Sequence, residues 1–396
     1  MALKSQPLLL PVLLLSALLL SACGALERKA AVPAELQSKA VIADMKEVRY
    51  RIGVDNATLE REAIASFERE RNYLRSKGVH SLPPANFLAV SGGGDNGAFG
   101  AGLLNGWSAA GSRPEFKLVT GVSTGALIAP YAFLGKDYDE QLKRFYTTLK
   151  PADLIKRRSI LAAITSDALS DNLPLAKLVE KEITQEMLEA IAREYKKGRL
   201  LLIGTTDLDA RSGVIWNMTR IAASGSPDAL KLFHKILVAS SAIPGAFPPV
   251  MIDVEALDKK YHEMHVDGGA VAQVFVYPPS FHLKDLSGAK NAKRERRAFI
   301  IRNARLDPDW HEVQRSTMSI AGRAISSLIN SQGIGDLYRI FMTTQRDGVD
   351  FNLAFIPPTF KAEHKEEFDT EYMRQLYQTG FEMAVKGYPW QKRPPG

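Results

Sequence analysis

Phe87-Leu88-Ala89-Val90-Ser91-Gly92-Gly93-Gly94-Asp95-Asn96-Gly97 is the stretch that decides how this chain folds. It opens with an apolar run of strand length, turns through glycines, and continues from Ala98 to Ala110 with helical spacing. The pattern repeats downstream. Lys117 to Val122 carries β-formers, Gly121-Val122-Ser123-Thr124-Gly125 is a small-residue turn, and Thr124 to Leu134 reads as an apolar helix. Strand, helix, strand, helix predicts an α/β sheet with crossover helices. Further strands are expected at Leu200 to Gly204, Val214 to Met218, Ala298 to Arg302 and Phe351 to Ile356. Helices are expected at Leu59 to Lys77, Pro174 to Tyr195, Asp228 to Ala239, Arg315 to Thr344 and Thr370 to Val385. No internal repeat interrupts them, so one domain rather than two is expected.

Composition sets the outer bounds. With 396 residues, 45% hydrophobic and 24% charged, the chain has the balance of a globular protein. Its formal charge of +7 is a mild excess that identifies no partner and gives no reason to expect nucleic acid. The one cysteine, Cys23, excludes a disulfide framework and any multi-cysteine metal site. It closes a signal-like start: Lys4, an apolar run from Leu8 to Leu20, then Ser21 and Ala22. That run is shorter than the roughly 18 to 20 residues of a spanning helix. Leu20-Ser21-Ala22-Cys23 resembles the lipobox of bacterial lipoproteins. The resemblance implies removal of residues 1–22, acylation of Cys23 (palmitate being a typical chain) and anchoring in the cell envelope, and Gly24 in place of Asp implies sorting to the outer membrane.

Three motifs carry chemistry. Glycines between a strand and a helix let backbone N–H groups converge on an anion, helped by the helix N-terminus. No Gly-Lys-Ser/Thr follows, which excludes a P-loop. Gly92 to Gly97 does satisfy G-x-G-x-x-G, but the acidic ribose ligand of a dinucleotide site is missing from the end of the second strand, where Ser123 stands. A single site that holds both the glycine loop and the serine explains more residues, which favours the oxyanion of an acyl intermediate over a dinucleotide phosphate as the anion. Gly121 to Gly125 is G-x-S-x-G, a sharp turn that exposes a serine hydroxyl at a strand's carboxyl end. Asp267-Gly268-Gly269 follows the short apolar run Met264 to Val266. It is an ordinary turn sequence alone, and beside the other two motifs it becomes a proton acceptor for the serine.

Together the three motifs resemble the patatin-like phospholipase family in order and approximate spacing, and Ala239-Ser240-Ser241-Ala242-Ile243-Pro244-Gly245-Ala246-Phe247-Pro248-Pro249 is similar to the family's segment ahead of its aspartate. The resemblance covers Phe87 to Tyr277. It implies a three-layer α/β/α sandwich on a mostly parallel central sheet, and a serine esterase that hydrolyses lipid acyl esters with no cofactor and no metal. Carried over by position, Ser123 is the nucleophile, Asp267 its base, and the backbone of Gly92, Gly93 and Gly94 the oxyanion hole, with Gly97, Gly121, Gly125, Gly268 and Gly269 as motif glycines. The chain departs from the family at Asn96, where many members carry Lys or Arg.

The expected division is a signal at 1–22, a tether and lead-in segment at 23–82, a catalytic domain at 83–360 and a C-terminal helical extension at 361–396. The expected partners are a phospholipid, lysophospholipid or other acyl-ester lipid, and a membrane held through Cys23. A general carboxylesterase or thioesterase is the rival enzyme, and a non-catalytic envelope lipoprotein retaining the fold is the rival class. A Ser-His-Asp triad would need its histidine after the acid, leaving His282, His311 and His364. Pro151 to Leu169, with Lys156-Arg157-Arg158 beside Ile160, Leu161 and Ile164, reads either as a basic amphipathic cap or as a solvated helix. Asp207 and Asp209 form a conceivable acidic site, but read better as a loop after a strand.

Overall fold

The structure is a computed structural model that describes residues 28–154, 156–157, 167–168, 170–283, 294–307, 310 and 312–395. The expectations for Cys23, for Arg158 to Ile164 and for His311 lie outside the described residues.

Strand β2 (Ala85–Val90) is buried along its whole length. Its side chains alternate, Leu88 and Val90 entering one apolar core and Phe87 and Ala89 the other. The neighbouring strands β3 (Leu118–Gly121), β4 (Leu200–Asp207) and β8 (Arg296–Arg302) divide in the same way. A strand apolar on both faces has to be covered on both, as in the interior of a parallel sheet. Among the described residues the sheet has nine strands, in the order β1-β5-β4-β3-β2-β8-β9, with β1 at Arg49–Arg51, β5 at Ser212–Asn217 and β9 at Asp350–Phe355. From β4 to β9 this order is parallel throughout. A hairpin of β6 (Val250–Ala256) and β7 (Lys259–Asp267) completes it.

Helices α2 (Gly97–Ala109), α3 (Thr124–Leu134), α4 (Asp139–Thr147), α5 (Ala229–Ser240) and α7 (Thr370–Val385) contribute to the first core. Helix α1 (Asn56–Ser76) and the C-terminal part of α6 (Thr317–Asp347) contribute to the second. The expected three layers are present.

The two flanking segments differ from expectation. Residues 28–82 are no tether: β1 pairs antiparallel with β5, Val41 bridges to Glu255, and Leu59 of α1 is core. Arg49-Tyr50-Arg51 offers one apolar residue, too short a pattern to betray a strand. Residues 361–395 are likewise part of the layer. A Cβ on Gly102 or Gly106 of α2 would strike the backbone of Tyr377 or Phe381, and one on Gly380 of α7 would strike that of Phe99. The glycines therefore let α2 and α7 pack backbone to backbone. The single helix expected at Pro174 to Tyr195 is two, Leu173–Glu182 and Gln185–Lys196, the second capped by Thr184 on the Met187 amide.

Candidate active site

The register pairs Val90 with Gly121, which places the glycine loop and the serine turn side by side at the carboxyl ends of β2 and β3. Ser123 has φ 55° and ψ −127°, a backbone conformation that residues with a Cβ rarely adopt. The turn closes because its flanks are glycine: a Cβ on Gly125 would meet the Val90 carbonyl, and one on Gly121 the backbone of Gly125. Ser240, the last residue of α5, clamps the turn. Its hydroxyl accepts the Ser123 amide at 3.0 Å and donates to the Gly204 carbonyl at 2.7 Å. Sequence reading singled out the segment containing Ser240 but gave that residue no task.

Asp267 arrives by a change of partner along β4. Gly121 is the last residue of β3 and pairs with Ile203, and from Thr205 onward the same edge of β4 is taken by β7, with Thr205 opposite Asp267. The last residue of β7 therefore lands just past the end of β3, where Ser123 sits. The Asp267 carboxylate accepts the Gly269 amide at 2.7 Å and has the Ser123 hydroxyl as its hydrogen-bonding neighbour. Burial pushes its pKa up to about 6, against the opposing effect of those two hydrogen bonds. Gly268 has to be glycine because a Cβ there would strike the Gly204 carbonyl.

The glycine loop corrects one assignment. Gly92 donates its amide to the Gln273 carbonyl at 3.0 Å, so it is not a free oxyanion donor. The amides of Gly93 and Gly94 have no acceptor among the described residues. Gly93 lies so close to Asn303 that a Cβ would hit its carbonyl. Asn303, the residue after β8, staples the loop: its amide reaches the Ser91 hydroxyl at 2.8 Å, its side chain donates to the Ser91 carbonyl at 2.9 Å and accepts the Gly100 amide at 3.1 Å. Neither Gln273 nor Asn303 carried a motif that would have revealed it. The outer half of the loop is held by the chain's C-terminal part, with Asp95 bonded to His364 at 2.6 Å and Asn96 accepting from the Tyr372 hydroxyl at 2.6 Å.

From Ser123 an apolar pocket runs between the helices, walled by Leu127, Phe145, Leu175, Phe247, Phe368 and Met373. Leu154 also lines it, at the start of the Pro151–Leu169 stretch, and Lys156–Arg157 form a short strand against Ser170–Asp171. Four of the described histidines have other partners: His234 contacts the Ile183 carbonyl, His262 pairs with Asp253, His265 with Thr205 and Glu263, and His364 with Asp95. His80 and His282 are exposed.

Asp207 ends β4, and Asp209 lies in the following turn, paired with Arg28 at 2.7 Å. Asp207, Glu263 and His265 bring metal-ligating atoms within 4.8 Å of one another. Their charges are met by the protein: Glu263 takes a two-pronged bond from Arg49, and Asp207 accepts the amides of Asp209 and Ala210. Among the described residues no helix is long and apolar enough to cross a membrane.

Residues 88–278 match the sequence profile of a family described as patatin-like phospholipase. No curated protein matches the chain. Among solved structures it is similar to VipD from Legionella pneumophila, at 11% identity and a TM-score of 0.38, covering 77% of this chain and 66% of that one. It is also similar to a chain in the complex of full-length SpcU with full-length ExoU, from the type III secretion system of Pseudomonas aeruginosa, at 15% identity and a TM-score of 0.29, covering 77% of this chain and 52% of that one.

Proposed function

We propose that this chain, which carries a patatin-like phospholipase domain over residues 88–278, hydrolyses lipid acyl esters through Ser123 and Asp267. The observation that carries the reading is the buried Asp267 carboxylate with the Ser123 hydroxyl as its neighbour, at a turn whose backbone holds the serine exposed to an apolar pocket.

Ser123 Oγ attacks the ester carbonyl while its proton passes to Asp267, and the developing oxyanion is held by the amides of Gly93 and Gly94. Collapse breaks the ester bond. The departing alkoxide takes the proton from Asp267 and leaves as an alcohol, with the acyl group on Ser123. Water then attacks, gives a proton to Asp267, and the released fatty acid leaves Ser123 to be reprotonated. The acyl chain lies in the pocket of Leu127, Phe145 and Phe247, so phospholipid or lysophospholipid is the substrate class. Fluorophosphonate labelling tests the nucleophile: the wild type should label and Ser123→Ala should not, with turnover down roughly 10⁴- to 10⁶-fold. Comparing micellar phospholipid, lysophospholipid and short p-nitrophenyl esters tests the substrate. Preference for the short esters would make it a general carboxylesterase, and an unlabelled, folded wild type would make it a binding protein.

The same proposal places the enzyme on the bacterial envelope, in the outer membrane, through acylated Cys23. Leu20-Ser21-Ala22-Cys23 supports this. Cys23→Ser should release the protein from membranes and abolish palmitate incorporation, and retained incorporation would refute it.

A further inference from the structure

Helix α6 is longer than the strand it covers. β8 ends at Arg302 on the catalytic edge of the sheet, whereas β9 starts at the opposite edge, with Asp350 beside Arg297. α6 therefore runs back across the sheet. Only its C-terminal part is needed for the crossing, and there Leu337, Ile340, Thr344 and Asp347 are buried. The level of the catalytic edge is marked by three contacts: Gly333 packs on the guanidinium of Arg302, Gln332 donates to the Val271 carbonyl, and Asp336 accepts the Gln273 amide at 2.7 Å. Residues 317–331 therefore project past that edge as an arm about 22 Å long, at 1.5 Å per residue.

On this arm Ile320, Ile325 and Leu328 are 53%, 53% and 69% exposed. At about 100° per residue, Ile320, Ala321, Ala324, Ile325 and Leu328 share one half of the helix, and Gly322, Arg323, Ser326 and Asn330 the other. A helix of this length is marginal in water by itself, and an apolar stripe held in solvent calls for a cover. The charge pattern indicates which. Between Glu312 and Asp336 there is no acidic residue, while Arg315 and Arg323 are basic. An apolar stripe on an arm that carries basic and no acidic residues matches an anionic lipid surface. The arm's root also adjoins the site, because Gln273, which gives its amide to Asp336, accepts the Gly92 amide through its carbonyl.

We propose that the 317–331 arm is the surface that seats this protein on anionic phospholipid, burying Ile320, Ile325 and Leu328 in the lipid beside the catalytic edge. This rests on the hydrolase reading, since the lipid it docks on is also the substrate.

The full-length protein is compared with Leu328→Trp and with the double variant Ile325→Glu/Leu328→Glu, on phosphatidylglycerol vesicles and on dissolved p-nitrophenyl butyrate. Relative to the parent, Leu328→Trp should gain blue-shifted indole emission that brominated phosphatidylglycerol quenches. The double variant should lose about tenfold or more of vesicle turnover and keep its turnover of the dissolved ester within about twofold. Absent quenching, or unchanged vesicle turnover, overturns the arm. A self-associated species that disappears in the double variant, without quenching by lipid, assigns the stripe to a second copy of the chain and overturns it as well. If the parent turns over neither substrate, the hydrolase reading has failed, and quenching alone decides the arm.

Discussion

Strand β7 holds two buried carboxylates four residues apart, and their surroundings give them opposite chemistry. Glu263 is 4% exposed and Asp267 is 5% exposed, so burial opposes ionisation of both. At Glu263 the hydrogen bond from His265 and the charge and hydrogen bonds of Arg49 outweigh burial and pull the pKa down to about 2. At Asp267 the neighbours are a serine hydroxyl and a backbone amide, burial wins, and the pKa goes up to about 6. What separates a structural charge from a group that trades protons near neutrality is here the company of His265 and the Arg49 cation. The cation at Glu263 comes from β1, in the polar segment whose composition suggests only a tether and lead-in.

The largest expected effect is on turnover at the Asp267 end. Asp267→Asn keeps the shape but cannot accept a proton, and kcat should fall roughly 10²- to 10⁴-fold in steady-state assays. At the Glu263 end the largest effect is on stability. Arg49→Met leaves a buried carboxylate without its cation and should cost about 3–5 kcal/mol in denaturant titrations at neutral pH. If Arg49→Met proved neutral, the contrast between the two ends would not depend on that cation.

The same contrast predicts that Asp267→Asn is a stabilising change. The folded pKa of Asp267, about 6, lies above the ordinary aspartate value of 3.8. Its contribution to stability is therefore fully present below about pH 3.8 and lost as pH rises through 6. At pH 8 the protein carries the whole cost of the buried charge, on the order of 3 kcal/mol. Asp267→Asn should be more stable than wild type by about that amount at pH 8, with the gain vanishing toward pH 4. The smallest effect is at Ser240. Ser240→Ala leaves the buried Ser123 amide without its acceptor, and should cost about 1–3 kcal/mol with a modest fall in kcat.

The parts of this site that were legible in sequence are those whose chemistry is local. A glycine run between strand and helix, a serine between glycines, and an aspartate before glycines each carry their reason within a few residues, and the β2 and β3 strands beside them stand out as short apolar runs. What was not legible depends on distant partners. Gly92 was expected to face the oxyanion, but its amide is taken by Gln273. Asn303, Ser240 and Arg49 act on segments far away in the chain and look ordinary where they stand. The β6–β7 hairpin was read only at Met264 to Val266, because its strands alternate apolar residues with charged, solvent-facing ones such as Asp253 and Lys259. The sequence of α7 likewise does not show where it packs, because the glycines of α2 that receive it lie far away in the chain.

The most direct test of a Ser123–Asp267 pair is the pH dependence of fluorophosphonate inactivation, followed from about pH 4.5 to about pH 8.5 in the wild type and in Asp267→Asn. The wild type should react about tenfold faster per pH unit up to a pKa of about 6 and level off above it, and Asp267→Asn should react slowly with no such limb. A wild-type limb near pH 4, or a limb near pH 6 that survives in Asp267→Asn, would contradict the assignment of Asp267 as the base.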